Sequence, residues 1–511
     1  MKGLYVNIPY APSLVAAFDK LLGVRSCTGT FCHPSIGTIV LSFRPSDWPD
    51  GPAFESPDRQ LLAIASGWLS YRGRLGALRD LVLALANTDS SEDVITVLRG
   101  IDGGAFLLLI ADRRGTTLIT DPFGLHPHYI RRDSPLLQLA PAPSFLRTEE
   151  TLPDSPMSIL INRLNHPVGD RTAFADIVRL RPGRIHRGNR SDAYFPYEPL
   201  PFHVDAIWEE FRRLRACFAR RPTLLPISGG LDSRLLLASG PFDYGFTFGP
   251  QHTGDRPIAK AFRRHFTRGY DSFSLTDLQY PKRLAEAARL MFDGVCPMPF
   301  AEILAVFSRV ALNWGSDCVL FDGYLGDVLT RGSWFNLPSW CDRVMRIFPR
   351  LRVSRLRADT TLRRRYAAVD DDTYHEVARA FEDMTEGASC PPLTRLLLFE
   401  ILYGRGARYI INGNGIMAGQ FFTSVQAFFW PGIFRRLLSL SPYDLVSFRA
   451  LRALWASAPP DLRSAVSLDG YAPIWPPSLS RLGWLVVALS RSVTVRRTYS
   501  DELPLITWYD E

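Results

Sequence analysis

Between Thr223 and Leu235 the chain reads TLLPISGGLDSRL, which packs two glycines, two hydroxyls and one carboxylate into the six residues Ser228 to Ser233. TLLPI has the look of a buried strand, and SRLLLAS opens a helix at once. A glycine-rich turn between a parallel strand and a helix directs free backbone N–H groups and the positive helix end at one point. Gly229 and Gly230 let an anion approach the backbone, Ser228 and Ser233 add hydroxyl donors, and Leu231 completes the turn. No Gly-Lys-Ser/Thr follows, so this is not the Walker loop. Phosphate is the expected guest. A carboxylate inside an anion loop repels phosphate unless a divalent cation stands between them, so Asp232 reads as a magnesium ligand.

The elements that must hold this turn fall into two stretches. Up to about Leu200, short apolar runs such as GTIVLSF, GAFLLLIADRRGTTLITDPFG and LLQLAP alternate with turn residues, the rhythm of a sheet-rich domain. RDLVLALANTDSSEDVITVLRG adds helical periodicity, with a capping start at Ser90 to Asp93. Pro196 to Pro201, PYEPLP, reads as a linker. Beyond it, helical patterns (VDAIWEEFRRLRACFAR, PIAKAFRRHF) alternate with short strands (TLLPI, YGFTFG), an α/β plan with a parallel sheet. The expected domains are therefore residues 1–200 and 201–511.

Composition narrows the class. The 511 residues are 46% hydrophobic and 22% charged, ordinary for a globular chain of two domains. No apolar run reaches membrane-spanning length, so no membrane partner is expected. The net charge of +8 is carried almost wholly by arginine; the lysines are Lys2, Lys20, Lys260 and Lys282. The excess is diffuse, without a nucleic-acid stripe, and TLRRRY and EFRRL read as solvated helix faces. Seven scattered cysteines suggest reduced thiols and a cytoplasmic protein. Cys27, Cys32 and His33 have no second ligand pair to make a metal site.

SGGLDS also resembles the pyrophosphate loop of the asparagine synthetase family, whose members attack the α-phosphate of ATP with a carboxylate. The segment Phe246 to Phe266 is similar to that family's second synthetase strand and following helix, which implies that Thr247, Phe248 and Gly249 flank the adenine. VLFDGYLGDVLTRG, Val319 to Gly332, resembles the family's second phosphate loop. There Gly323 would face the nucleotide, and Asp327 would share magnesium with Asp232. Leu325 replaces a glycine of that loop and Val328 a glutamate. Upstream, Leu98 to Ile130, ASGWLSYRGRLGALRDL and LRPGRIHRG resemble the glutamine amidotransferase domain that precedes the synthetase domain. The implied fold is α/β overall: an Ntn-hydrolase-like α+β sandwich, then a parallel-sheet PP-loop domain of the adenine nucleotide α-hydrolase type.

The departures shape the functional expectation. A glutaminase of this kind needs a cysteine directly after Met1, with its own α-amine as base; Lys2 stands there, and the first cysteine is Cys27. Ser66 and Trp68 replace the Asn and Glu that hold glutamine. The N-terminal domain is thus expected to be inactive on glutamine, and ammonia is not the expected nucleophile. Two branches of the family take the amine from the substrate itself: β-lactam synthetases, and lasso-peptide cyclases that join an N-terminal amine to an Asp or Glu side chain.

Tyr324 stands where β-lactam-forming members keep a catalytic tyrosine, with Glu400 as its partner in a general-base pair. The family's late lysine, expected near SLDGYAPIWPP, is missing, and Arg463 is the proposed substitute, with Arg405 and Arg408 as other candidates. The Met-Ala segment at Gly415 to Phe434 carries Gln426 and Pro431 where the family has Arg and Asp. Its aromatics, Phe421 to Trp430, suggest the wall of a peptide chamber.

The expected function is ATP- and Mg2+-dependent macrolactam formation through an acyl-adenylate, as by a lasso peptide cyclase in antibiotic biosynthesis. Its partners would be a precursor or core peptide, a leader-processing protease and a leader-binding protein. The alternatives are a β-lactam synthetase or other amide ligase, and a nucleotide-binding pseudoenzyme.

Overall fold

A computed structural model describes residues 1–58, 60–113, 115–249, 255–297, 301–335, 344–345, 347–388 and 390–493. The first 193 residues build two antiparallel sheets, one of six strands and one of seven. Period-two alternation sets the layers. Along Ile101–Asp112, Leu107 and Leu109 face the other sheet, meeting Leu4, Val6, Ile39 and Leu41. Their neighbours Phe106 and Leu108 turn outward onto Leu78, Leu81 and Val82 of the helix Leu78–Ala86. Tyr5 and Val40 do the same on the far side, against the helix Ala11–Leu22 through Ala11 and Val15. The order is helix, sheet, sheet, helix. The expected capping start is present: Ser90 and Asp93 form a reciprocal capping box on Ser91–Leu98.

Residues 194–203 carry no helix or strand, and the second half follows as a five-stranded parallel sheet flanked by helices. Its strands run, in space, Phe266–Ser274, Phe242–Gly249, Thr223–Pro226, Val319–Asp322 and Thr423–Gln426. In order of sequence this is 3-2-1-4-5, so the winding reverses between Thr223–Pro226 and Val319–Asp322. In open parallel sheets, the crevice outside the carboxyl ends of the strands at such a reversal is where ligands bind. Both glycine loops leave from those two strands.

Two readings of side chains change. Arg212 and Arg213 of EFRRL are solvated and paired with Glu209 and Glu210, but Arg365 of TLRRRY is half-buried and pairs with the buried Glu400. The aromatics Phe421, Phe422, Phe428, Phe429 and Trp430 belong to the core rather than to a chamber wall. They flank the buried strand Thr423–Gln426, which the antiparallel half covers, with Trp68 donating to the Ser424 carbonyl at 3.0 Å. Cys27 and Cys32 lie five residues apart on an exposed strand and so face opposite ways, which rules out a shared metal. Among the described residues, no helix is long and apolar enough to cross a membrane.

One element has no counterpart in the sequence reading. Gly406–Gly415 winds as a π-helix and runs straight into the α-helix Ile416–Phe421.

Candidate functional site: two glycine loops at the sheet reversal

The strand Thr223–Pro226 delivers Ile227, whose N–H still pairs with the Phe246 carbonyl at 2.8 Å, and the turn Ser228 to Leu231 follows. The helix Asp232–Ala238 then begins, anchored by Leu231, Leu235 and Leu236 in the core. Within the turn the hydroxyls and amides close on one another. Ser233 Oγ accepts the Ser228 N–H at 3.1 Å and lies 3.1 Å from Ser228 Oγ, which accepts the Gly230 N–H at 3.2 Å. The Gly229 N–H donates to Asp255 Oδ1 at 2.8 Å. In this state the Ser228, Gly229 and Gly230 N–H groups already have acceptors, and a phosphate would have to take these donors over.

The second loop presses directly on the first. A Cβ at Gly323 would lie 2.9 Å from the Ser233 nitrogen, and one at Gly326 would lie 2.9 Å from Asp232 Cβ and 2.6 Å from the Phe428 ring. Backbone approach this close admits only glycine. Leu325, where the resembled loop has glycine, takes a left-handed conformation (φ 62°, ψ 8°), so the turn is kept although the residue is not.

Charge then converges on Asp232. Its Oδ2 accepts from Arg331 Nη2 at 3.0 Å, while Arg331 Nη1 reaches Asp469 Oδ2 at 2.9 Å and the Tyr471 hydroxyl at 3.3 Å. Burial pushes the Asp232 carboxyl up to about 7; Arg331 pulls it down, and Asp327 and Asp469 push it further up. Burial disfavours the Arg331 charge, but Asp232, Tyr471, Asp469 and Asp327 together hold it firmly protonated. Asp322, the last residue of its strand, is raised to about 8 by burial, against the backbone N–H groups of Tyr324 and Gly323.

Thr247, Phe248 and Gly249 end the neighbouring strand, in register with Ser272, Phe273 and Ser274. Residues 250–254, part of the segment compared with the adenine-side strand and helix, lie outside the described residues. Tyr324 belongs to the second loop, its N–H on Asp322 Oδ1 at 3.0 Å. Glu400 does not stand ready as a base. Burial raises its carboxyl, but Arg365 at 2.9 Å, His166 and the Arg405 N–H outweigh that and hold it below the usual carboxylate range.

Arg463 donates to the Ala456 carbonyl at 2.6 Å, a staple of its own loop. Arg408 spans to the carbonyls of Gly169 and Arg171, and Arg405 lies over the Tyr409 ring. Among the described residues, the cation paired with Asp232 is Arg331. The late segment does reach the loop, through the Leu468 N–H on the Gly229 carbonyl at 2.9 Å, but it brings Asp469 in place of a lysine.

Two carboxylates beside a glycine loop fit magnesium chemically, because that ion takes one or two carboxylates and completes its shell with water and phosphate oxygens. Asp232 and Asp327 are near enough for each charge to act on the other. No group of three or more His, Cys, Asp or Glu that could hold a metal ion occurs among the described residues. Sequence reasoning missed Asp255, Asp322, Arg331 and Asp469. Asp322 and Arg331 stood within the quoted loop, at its first charged position and its last.

Comparison with protein-family models and with curated proteins gives no match. Among solved structures, the chain is similar to the glutamine phosphoribosylpyrophosphate (PRPP) amidotransferase from B. subtilis complexed with ADP and GMP. The TM-score is 0.22 at 13% identity, over 56% of this chain and 61% of that one. The chain therefore spans less than two thirds of that neighbour's length.

Proposed function

We propose that this chain is an ATP-dependent, AMP-forming ligase that closes an amide bond within one substrate, with a peptide macrolactam as the product. The observation that carries the ATP site is the meeting of SGGLDS and GYLGD at the reversal of the parallel sheet. The amide-forming chemistry and the peptide substrate rest on the resemblance of those loops to the asparagine synthetase family. In this reading the N-terminal half is an Ntn-hydrolase-like sandwich without glutaminase activity, and the C-terminal half is the PP-loop domain.

A substrate carboxylate attacks the α-phosphorus, pyrophosphate leaves, and the substrate's own amine displaces AMP. Asp232 and Asp327 would hold magnesium, which screens phosphate charge when bound. Ser228, Gly229, Gly230 and Ser233 exchange their internal hydrogen bonds for phosphate oxygens. Arg331 supplies the positive charge that the missing lysine would bring, by turning from Asp232 toward the anion. The tethered amine gains from orientation rather than from acid–base help, consistent with Glu400 being committed to Arg365.

The test is mass spectrometry of a candidate precursor peptide incubated with ATP, magnesium and the protein, with ammonium as competitor. The expected product is lighter by one water, with AMP in equal amount. A product that has incorporated ammonia, or no AMP with any peptide carrying a free amine and a carboxylate, overturns the proposal. One observation favours a second reading: Arg331 already neutralises Asp232, as in a nucleotide-binding protein that does not turn over. Substrate-dependent ATP–pyrophosphate exchange separates the two.

A further inference from the structure

Where the strands Val319–Asp322 and Thr423–Gln426 begin, at the end of the sheet opposite the glycine loops, lies a cavity of about 480 Å3. Its polar lining is Lys2, Arg25, Arg44, Ser46, Ser308 and Ser316, and Ala311, Leu312 and Phe421 give it an apolar side. Asp317 is the one acid in the lining, so three cations face one anion. Asp317 is itself engaged by Arg221, which takes its carbonyl at 3.0 Å and its carboxylate at 3.4 Å. Asp47, beside Arg44 at 3.5 Å, is shared with Arg221 at 2.8 Å and with the Thr423 hydroxyl. Asp19 is spent on Ser26.

The Arg44 side chain is only 9% exposed. Its Nη1 reaches Asp47 and the Thr423 hydroxyl, while its Nη2 is buried with no hydrogen-bond partner among the described residues. A buried guanidinium N–H without an acceptor is costly, and such an orphan marks a place where an acceptor belongs. Lys2 lies beside it, its ammonium on the Gln420 carbonyl and its backbone N–H on Gln420 Oε1 at 3.0 Å. Burial and the nearby Arg44 both disfavour the Lys2 charge, so an anion here would relieve two desolvated cations at once.

We propose that this cavity binds a phosphate-bearing small molecule, with its phosphoryl group on Arg44 and Lys2, Arg25 at the rim, and its organic part against Leu312 and Phe421. Three cations and three hydroxyls offer more donors than the two oxygens of a carboxylate can use, whereas a phosphoryl group accepts from several directions. The volume suits a metabolite-sized ligand. This inference is independent of the proposed ligase activity, because the cavity and the glycine loops lie at opposite ends of the sheet.

The test is calorimetric titration of the full chain with phenyl phosphate, with benzoate as the carboxylate control. Phenyl phosphate is expected to bind at least about ten-fold more tightly than benzoate, and Arg44→Gln and Lys2→Gln to weaken it at least about ten-fold. Arg25→Gln, at an exposed position that does not threaten folding, should weaken it about three-fold. Gly229→Ala, in the phosphate loop, should leave it unchanged. Absence of binding, equal affinity for benzoate, or indifference to both Arg44→Gln and Arg25→Gln overturns the proposal. So does loss of binding in Gly229→Ala, which would place the phosphate on the loop instead.

Discussion

Asp322 ends its strand with two backbone N–H groups on its carboxylate, yet burial still lifts it to about 8. The folded chain therefore keeps a proton that the unfolded chain, near the ordinary Asp value, has released. The resulting stability is complete below about pH 4 and is lost as pH rises toward about 8. Asp322→Asn should make the fall in urea midpoint between about pH 5 and about pH 8.5 shallower; an unchanged slope would clear Asp322 of the effect. Asp232, raised to about 7, titrates in the same sense. Asp232→Ala and Asp327→Ala should each abolish AMP formation with the circular dichroism spectrum unchanged, and near-normal turnover in either would remove that residue from the site. The glycines, serines and both of these acids stood out because their spacing is local, and the fold sets the two loops that carry them side by side at the sheet reversal. Arg331 and Asp469 were not legible as a pair: 138 residues separate them, and only the fold brings them to 2.9 Å.

At the scale of elements, the second glycine loop exposes what spacing can and cannot say. Leu325 holds a left-handed backbone that costs a non-glycine residue about 1 kcal/mol or more, and its buried side chain offsets this by about 1.5–3 kcal/mol. Removing the side chain without relieving the backbone is the worse change. Leu325→Ala should accordingly be less stable than Leu325→Gly by about 1 kcal/mol, the reverse of the usual order in a helix. Equal midpoints in urea for the two variants would contradict that account. Strands read from alternation were placed well: GTIVLSF is Gly37–Phe43, residue for residue. LLQLAP shrinks to the two-residue strand Leu139–Ala140, and the helical pattern around Ser90 splits into Leu78–Ala86 and Ser91–Leu98. TLRRRY read as a solvated face because periodicity gives a helix its sides but not its neighbours. Glu400, 35 residues on, decides the fate of Arg365.

For the whole molecule, buried arginines knit the antiparallel half to the parallel half. Arg408 holds the carbonyls of Gly169 and Arg171, and Arg179 holds those of Gly124 and Leu402. Arg408→Met keeps much of the volume but strands two buried acceptors, and should destabilise the chain by about 2–4 kcal/mol in urea unfolding. Loss of less than about 0.5 kcal/mol would show that water replaces the guanidinium. The same seam bears on the proposed loss of glutaminase activity, because Trp68 spans it to the Ser424 carbonyl. No glutamate should be released from glutamine with ATP present, and measurable release would overturn the expectation.

The π-wound turns from Tyr409 to Gly415 sit between Arg408, which grips the antiparallel half, and Gln420, which receives Lys2. A helix that bonds each residue to the fifth along stores more chain per turn than one that bonds to the fourth. That stretch is slack between two fixed points. Shortening it by one residue lets the surplus be drawn in, as a looped rope takes up a pull, whereas the same deletion in Pro392–Leu402 would turn every later side chain about a quarter-circle away from its partner.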